Sequence, residues 1–192
     1  MAPSPMAQLQ DALAQGRLIP YLGAGMHKLA PECPVPDSQE QLAAFITAKV
    51  AVPHKIKNRL TAAAPFIENF KHRQTLVKLM NEAFSPSVVP SVLHHGLAAL
   101  TQLPLVVGVW YDDAMQQALA QRPNWCQVRG LSQAEHFGSG NRCYTARGSV
   151  MDEADVNKYA TLLYKPLRGR APADNYLISD SDYVELLTEI DI

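Results

Sequence analysis

Net charge is the first thing this sequence has little of. Its 192 residues carry 17 Lys and Arg against 18 Asp and Glu, a net of −1. That balance gives no general pull toward nucleic acid or an anionic membrane surface. Lys165, Arg168 and Arg170 lie close enough in sequence to form a local basic patch. Cysteine is scarce too: Cys33, Cys126 and Cys143 are an odd number and form no CxxC. A disulfide framework and a four-cysteine zinc site are therefore not expected. No apolar run approaches the ~20 residues of a membrane span. The opening stretch "MAPSPMAQLQDALAQG" lacks the basic start and long apolar centre of a secretory signal. There is no internal repeat or low-complexity tract. A reducing cytoplasm is the expected setting, without specific nucleic-acid or membrane partners.

What is present is a globular composition, 47% hydrophobic and 18% charged, in one domain's length. Met6, Leu9, Ala12 and Leu13 recur at helical spacing and Gly16 follows as a stop. A strand is expected over 18–22, then Gly23-Ala24-Gly25 and a proline-rich loop. Asp37 or Ser38 is placed to cap the next helix, whose apolar face is Leu42, Phe45 and Ile46. Residues 55–100 read as helical almost throughout, divided at Pro65, Pro86 and Pro90, with Val92, Leu97 and Leu100 as core candidates of the last piece. "PLVVGVWYDD" reads as a strand buried on both faces. "AMQQALAQ" is helical, "WCQVRG" a further short strand, and 130–152 reads as loop. "TLLYKPL" and "NYLIS" close the strand set before a last helix capped by Ser179 or Asp180.

This alternation predicts an α/β fold: a Rossmann-like parallel sheet flanked by helices, with a helical insertion over about 40–100 between the first and second core strands. Ligand crevices in such sheets lie at the carboxyl ends of the strands. Gly23–Gly25 and Trp110–Asp113 both fall at such ends, so they should face one crevice. Glycine permits close approach of a phosphate to the backbone; taken alone, however, Gly-Ala-Gly reads first as a tight turn with no ligand, and its context changes that weighting.

Three ordered blocks carry a resemblance. "IPYLGAG" followed by "CPVPDSQEQLAAFI", then "HHGLAALTQLPLVVGVWYDDAMQQAL", then "LLYKPLRGRAPADNYLISDSDYVELL" resemble the sirtuin-like domains, those related to silent information regulators. His94, Leu97, Ala98 and Leu100 match the family's His-x-x-Leu-Ala-x-Leu, and Tyr111 and Asp112 its Tyr-Asp pair. The resemblance implies an NAD-binding domain of the divergent bacterial defence type rather than the zinc-containing deacylase type. The implied cofactor-binding set is Gly23, Ala24, Gly25, Met26, Trp110, Tyr111 and Asp112. The implied catalytic pair, should turnover occur, is Asp112 and Arg168. Asp112 would sit near the nicotinamide ribose and the glycines on the pyrophosphate. The implied partners are NAD or an ADP-ribose-like molecule, a second copy of the chain, or a defence protein. Because family members continue past the last helix to another apolar strand, the resemblance also implies a fragment or a shortened domain that completes its sheet by self-association.

Two positions depart from that pattern. Trp110 stands where the family has an Asn that orients the attacking water or ribose, and an indole lacks the paired donor and acceptor of a carboxamide. Arg168 stands where the family has a catalytic His, and arginine stays protonated. Met26-His27 replaces a Ser that often follows the glycine turn. Trp110 reads first as a core aromatic and second as a stacking surface for a base. Arg168 reads as a surface charge, a partner of Asp112, or a fork for a phosphate or carboxylate. The resemblance with these departures implies a degenerate sirtuin-like domain that binds NAD, ADP-ribose or a related nucleotide without efficient turnover, a sensor or scaffold in bacterial defence or signalling. The alternatives are an NAD glycohydrolase using Asp112 with Arg168 or His27, and an interaction domain whose site has decayed. His94-His95 reads as capping or packing rather than metal ligation, and Cys126 with His136 lacks a nucleophile motif. Asp152, Glu153 and Asp155 read as a solvated acidic face.

Overall fold

The computed structural model describes residues 4–30, 32–130, 141–171 and 175–188. Its centre is a six-stranded sheet with strands β1 (Tyr21–Leu22), β2 (Leu105–Gly108), β3 (Trp125–Gly130), β4 (Asn141–Thr145), β5 (Val150–Met151) and β6 (Thr161–Lys165). The spatial order is β1-β2-β6-β3-β4-β5. The first four run parallel, while β4 and β5 add antiparallel at one side. A separate two-stranded ribbon pairs β7 (Arg168–Gly169) with β8 (Asn175–Tyr176). The mixed α/β architecture with a mostly parallel sheet is the one the sequence predicts. The stretch 130–152 is not simply loop, however. β4 and β5 form a hairpin there, and Cys126, Gln127 and Val128 of β3 pair with Thr145, Tyr144 and Cys143. Alternation in "NRCYT" is too short to show a period, and pairing with β3 supplies what local pattern does not.

Between β1 and β2 lies the helical insertion: α2 (Gln39–Lys49), α3 (Leu60–Lys71), α4 (Arg73–Ala83) and α5 (Val92–Ala99). Ser38 caps α2 by accepting from the Gln41 N–H at 3.2 Å, and Leu42 and Ile46 are fully buried. Pro65 does not divide the segment. It sits inside α3, and the break falls instead at His72, whose φ of 72° ends the helical path. Pro removes only one N–H, and the burial of Leu60, Ala63, Ala64 and Ile67 on one face holds α3 together across the gap. Val92 is a surface residue, 88% exposed; the α5 core is His94, Leu97 and Ala98.

Two hydrophobic clusters result. One joins α2, α3 and α4 to Trp110, Tyr111, Tyr176 and Ile178. The other packs α5 and α6 (Ala114–Leu119) on the sheet through Val106, Trp125 and Leu163. The N-terminal helix α1 (Pro5–Ala14) precedes β1 and is capped by Ser4. The last helix, α7 (Asp180–Thr188), is tied to α4 by Asp182, whose Oδ2 accepts from the Ile178 and Ser179 N–H groups at 2.8 and 2.9 Å and meets Arg73 Nη1 at 2.9 Å, and to α3 by Ser181, which donates to Glu68 at 2.7 Å. Among the described residues no helix is long and apolar enough to cross a membrane.

Candidate functional site

β1 and β2 pair in parallel, with Leu22 opposite Gly108. Their carboxyl ends therefore emerge together, and Gly23 and the residues after Gly108 share one crevice. A 3-10 turn over Ala24–Leu29 follows Gly23 directly. The pocket at this point is lined by Gly23, Met26, His94, Trp110, Asp112 and Lys165, among others. Its cavity is about 20 Å³, room for about one water molecule.

Neither glycine is demanded by the fold. A Cβ on Gly25 would meet nothing within 4 Å, and one on Gly23 would meet only Val109 Cγ2, at 3.7 Å. Neither residue has a positive φ. Gly169 is the contrast: its φ is 154°, and a Cβ there would stand 2.8 Å from the Tyr111 carbonyl oxygen. The ribbon needs its glycine for close packing, whereas the turn at 23–25 simply leaves space.

Below the turn lies a buried cluster of charge. Asp112 Oδ2 stands 3.1 Å from His27 Nε2, with both side chains nearly inaccessible. The His27 Nε2 has no aligned hydrogen bond, so the two groups meet as a close polar contact. Oδ1 of Asp112 accepts the Ala114 N–H at 2.9 Å. Lys165 Nζ donates to the Asp112 carbonyl oxygen and lies 3.5 Å from Gln116 Oε1. Burial works to raise the Asp112 carboxyl, but the His27 imidazole, the Lys165 ammonium and the Ala114 N–H outweigh it and hold the group well below the usual range. For Lys165, burial lowers the amine to about 8, with Asp112 opposing the drop.

His94 completes the wall. Its Nδ1 accepts the Ser91 N–H at 3.1 Å and lies 2.8 Å from Ser91 Oγ, closing a capping box at the start of α5. Burial pushes its pKa down, which keeps the ring neutral. The capping reading of this histidine is therefore the structural one.

The other expected site residues are distributed as follows. Trp110 is a core aromatic. Its ring centroid is 5.9 Å from that of Phe84 and 5.2 Å from that of Tyr111, and Nε1 donates to the Pro36 carbonyl at 2.8 Å. Tyr111 points away from the pocket, its hydroxyl donating to Leu177 O at 2.8 Å. Ala24 packs against the helical insertion. Gly23, Met26, Trp110 and Asp112 are brought together at the pocket; Ala24, Gly25, Tyr111 and Arg168 are not among its lining. Arg168 is buried in the β7–β8 ribbon at φ 68°, with Nη1 donating to Asn175 Oδ1 at 3.1 Å. Asp112 pairs with His27 instead. The basic patch does not form either, since Lys165 and Arg168 are both buried and only Arg170 is exposed. His136 lies outside the described residues, while Cys126 and Cys143 are buried free thiols. Asp152, Glu153 and Asp155 are at the surface, where Asp152 caps a 3-10 turn.

Sequence reasoning gave Lys165 no role in the site. The available signal was positional: Tyr164 is the strand partner of Val107, so the next residue also stands at the carboxyl end. Compared with known proteins, the chain matches no protein-family model, and no curated protein is similar to it at a significant level.

Proposed function

We propose that this protein binds a nucleotide of the NAD or ADP-ribose class at the Gly23–Gly25 turn and does not hydrolyse it efficiently, acting as a sensor. The observation that carries the reading is the pair of glycines that neither backbone nor packing requires. Glycine in ordered backbone costs roughly 0.5–1 kcal/mol relative to alanine. A position that accepts that cost without a steric reason is explained by an approaching ligand. The resemblance to sirtuin-like domains supports the same assignment and makes the pyrophosphate the group that meets the turn. Asp112, held ionised, offers an acceptor to ribose hydroxyls, with Lys165 balancing its charge.

A cavity of about 20 Å³ does not hold a dinucleotide, so on this reading the structure is a closed form. Binding requires movement of Trp110 and of the loop that carries Pro36. The lack of turnover rests on two side chains. Trp110 has no carboxamide to orient a water or a ribose, and the Arg168 guanidinium is spent on Asn175. Calorimetry with NAD and ADP-ribose, run beside an assay of nicotinamide release, tests the reading. Binding without release is expected, and rapid release would replace the sensor with an NAD glycohydrolase.

One observation favours a second reading, an interaction domain whose site has decayed: Trp110 fills the crevice as a well-packed core residue, only 6% exposed. Absence of binding at about 5 mM of either nucleotide, a concentration at which even a contact worth about −4 kcal/mol registers, would select it.

A further inference from the structure

A groove of about 300 Å³ runs between α6 and the β3–β4 hairpin, at the lower end of the size range of small-molecule sites. Its floor is the sheet face carrying Trp125, Gln127 and Tyr144, with Gln127 and Tyr144 directly opposite each other across the ladder. Its other wall is Asp113, Gln116, Gln117 and Ala120 of α6 and its ends. Two buried donors on this floor, Trp125 Nε1 and Gln127 Nε2, make no hydrogen bond, although both residues are only 3% exposed. Buried N–H groups are nearly always paired, and leaving them unpaired is costly. Two on one face of one strand, both lining one groove, point to a ligand that brings acceptors.

The ends of the groove carry opposite charge. Asp113 stands where α6 begins, at the carboxyl end of β2. Arg147 stands in the β4–β5 turn, beside the start of β3, because Thr145 pairs with Cys126. Among the described residues neither side chain forms an ion pair, although the Lys165 ammonium lies in the field of Asp113. At a rise of ~1.5 Å per residue, the helix path from Asp113 to Ala120 covers about 10 Å. Three residues of extended peptide cover about the same distance, and alternate residues of such a chain repeat at the spacing of Trp125 and Gln127 along β3.

We propose that this groove is a binding site for a short zwitterionic peptide of about three residues. Its ammonium sits at Asp113 and its carboxylate between Arg147 and Trp125; once the two buried side chains turn toward the groove, Trp125 Nε1 donates to a carboxylate oxygen and Gln127 Nε2 to the carbonyl of the first residue, which lies on the same side of an extended chain. The site is separate from the glycine turn and does not depend on the nucleotide reading.

Calorimetric titration of the full chain with trialanine, N-acetyl-trialanine and trialanine amide tests it. Saturable one-to-one binding of trialanine is expected, about fivefold weaker with either cap, as for loss of one exposed ion pair. Arg147→Ala and Asp113→Asn should each weaken trialanine by a similar factor. Trp125→Phe, which keeps most of the ring and removes the donor, should weaken it about tenfold. Should Trp125→Phe fail to fold by circular dichroism, Arg147→Ala and Asp113→Asn decide, since both lie at the rim. Absence of heat up to about 10 mM trialanine, equal affinity for the capped peptides, or unchanged affinity in both rim variants would overturn the proposal. Titration with ADP-ribose should be unaffected by Arg147→Ala, so the two sites fail or succeed separately.

Discussion

Lys165 makes the folded protein's stability depend on alkaline pH in a direction opposite to that of its thiols. The amine falls from 10.5 to about 8 on folding. Between those values the unfolded chain holds a proton that the folded chain has released, so stability rises with pH across that window. The full change corresponds to about 3 kcal/mol, or roughly 6–12 °C in melting temperature for a domain of this size. Cys126 acts the other way. Burial pushes its thiol up to about 11, so its contribution is lost as pH rises above 9. The wild-type curve therefore mixes both, and the informative quantity is the difference between wild type and Lys165→Met, which keeps the unbranched stem without the amine. Thermal melts followed by circular dichroism from pH 7 to pH 10 should show the variant more stable, relative to wild type, at pH 7 than at pH 10, with the gap closing through the window. Parallel curves would refute the buried-amine reasoning. They would mean that Lys165 reaches solvent or stays fully charged beside Asp112.

Trp110→Phe removes the bond from Nε1 to Pro36 O and should cost about 1–2 kcal/mol in chemical denaturation. It should also tighten ADP-ribose binding, because a closed crevice lowers apparent affinity by the fraction of molecules that are open; weaker binding would count against closure by Trp110. Asp182→Ala strips the carboxylate shared by Ile178, Ser179 and Arg73 and should destabilise by about 2–4 kcal/mol. Burial raises this carboxyl, but the backbone N–H groups and Arg73 lower it further, so the net shift is downward. Its contribution is therefore present above pH ~4 and lost as pH falls below, and an acid titration in which wild type and variant lose stability in parallel would contradict that role.

That the sheet is mostly parallel was legible from the alternation of short strands with helices, and β3 begins and ends where "WCQVRG" does; the spatial order β1-β2-β6-β3 was not. The convergence of Gly23 and Asp112 followed from the same rule. What local pattern did not carry was tertiary in origin. The β4–β5 hairpin exists through pairing with β3. The break between α3 and α4 falls at a non-glycine residue with positive φ, His72, a conformation that composition does not announce. In the site, Trp110 was read correctly as a core aromatic in one of its alternatives, but only coordinates show the Pro36 bond that holds it. The reading of Arg168 as a partner of Asp112 failed because Asn175, seven residues on, lies closer across the ribbon. Lys165 and His27 surround Asp112 from two strand ends far apart in sequence, and spacing along a chain does not reveal such a meeting.

The most direct test of the account is titration of ADP-ribose into the wild-type protein and into Gly25→Val. A side chain at residue 25 enters open space, so the variant should melt within a few degrees of wild type, the propensity change being about 0.5 kcal/mol. Wild type should bind with one-to-one stoichiometry, and Gly25→Val should bind at least about tenfold more weakly, a difference of about 1.4 kcal/mol. Equal binding by the two proteins, or no heat from wild type at about 5 mM ligand, would contradict the claim that the glycine turn is kept open for a nucleotide.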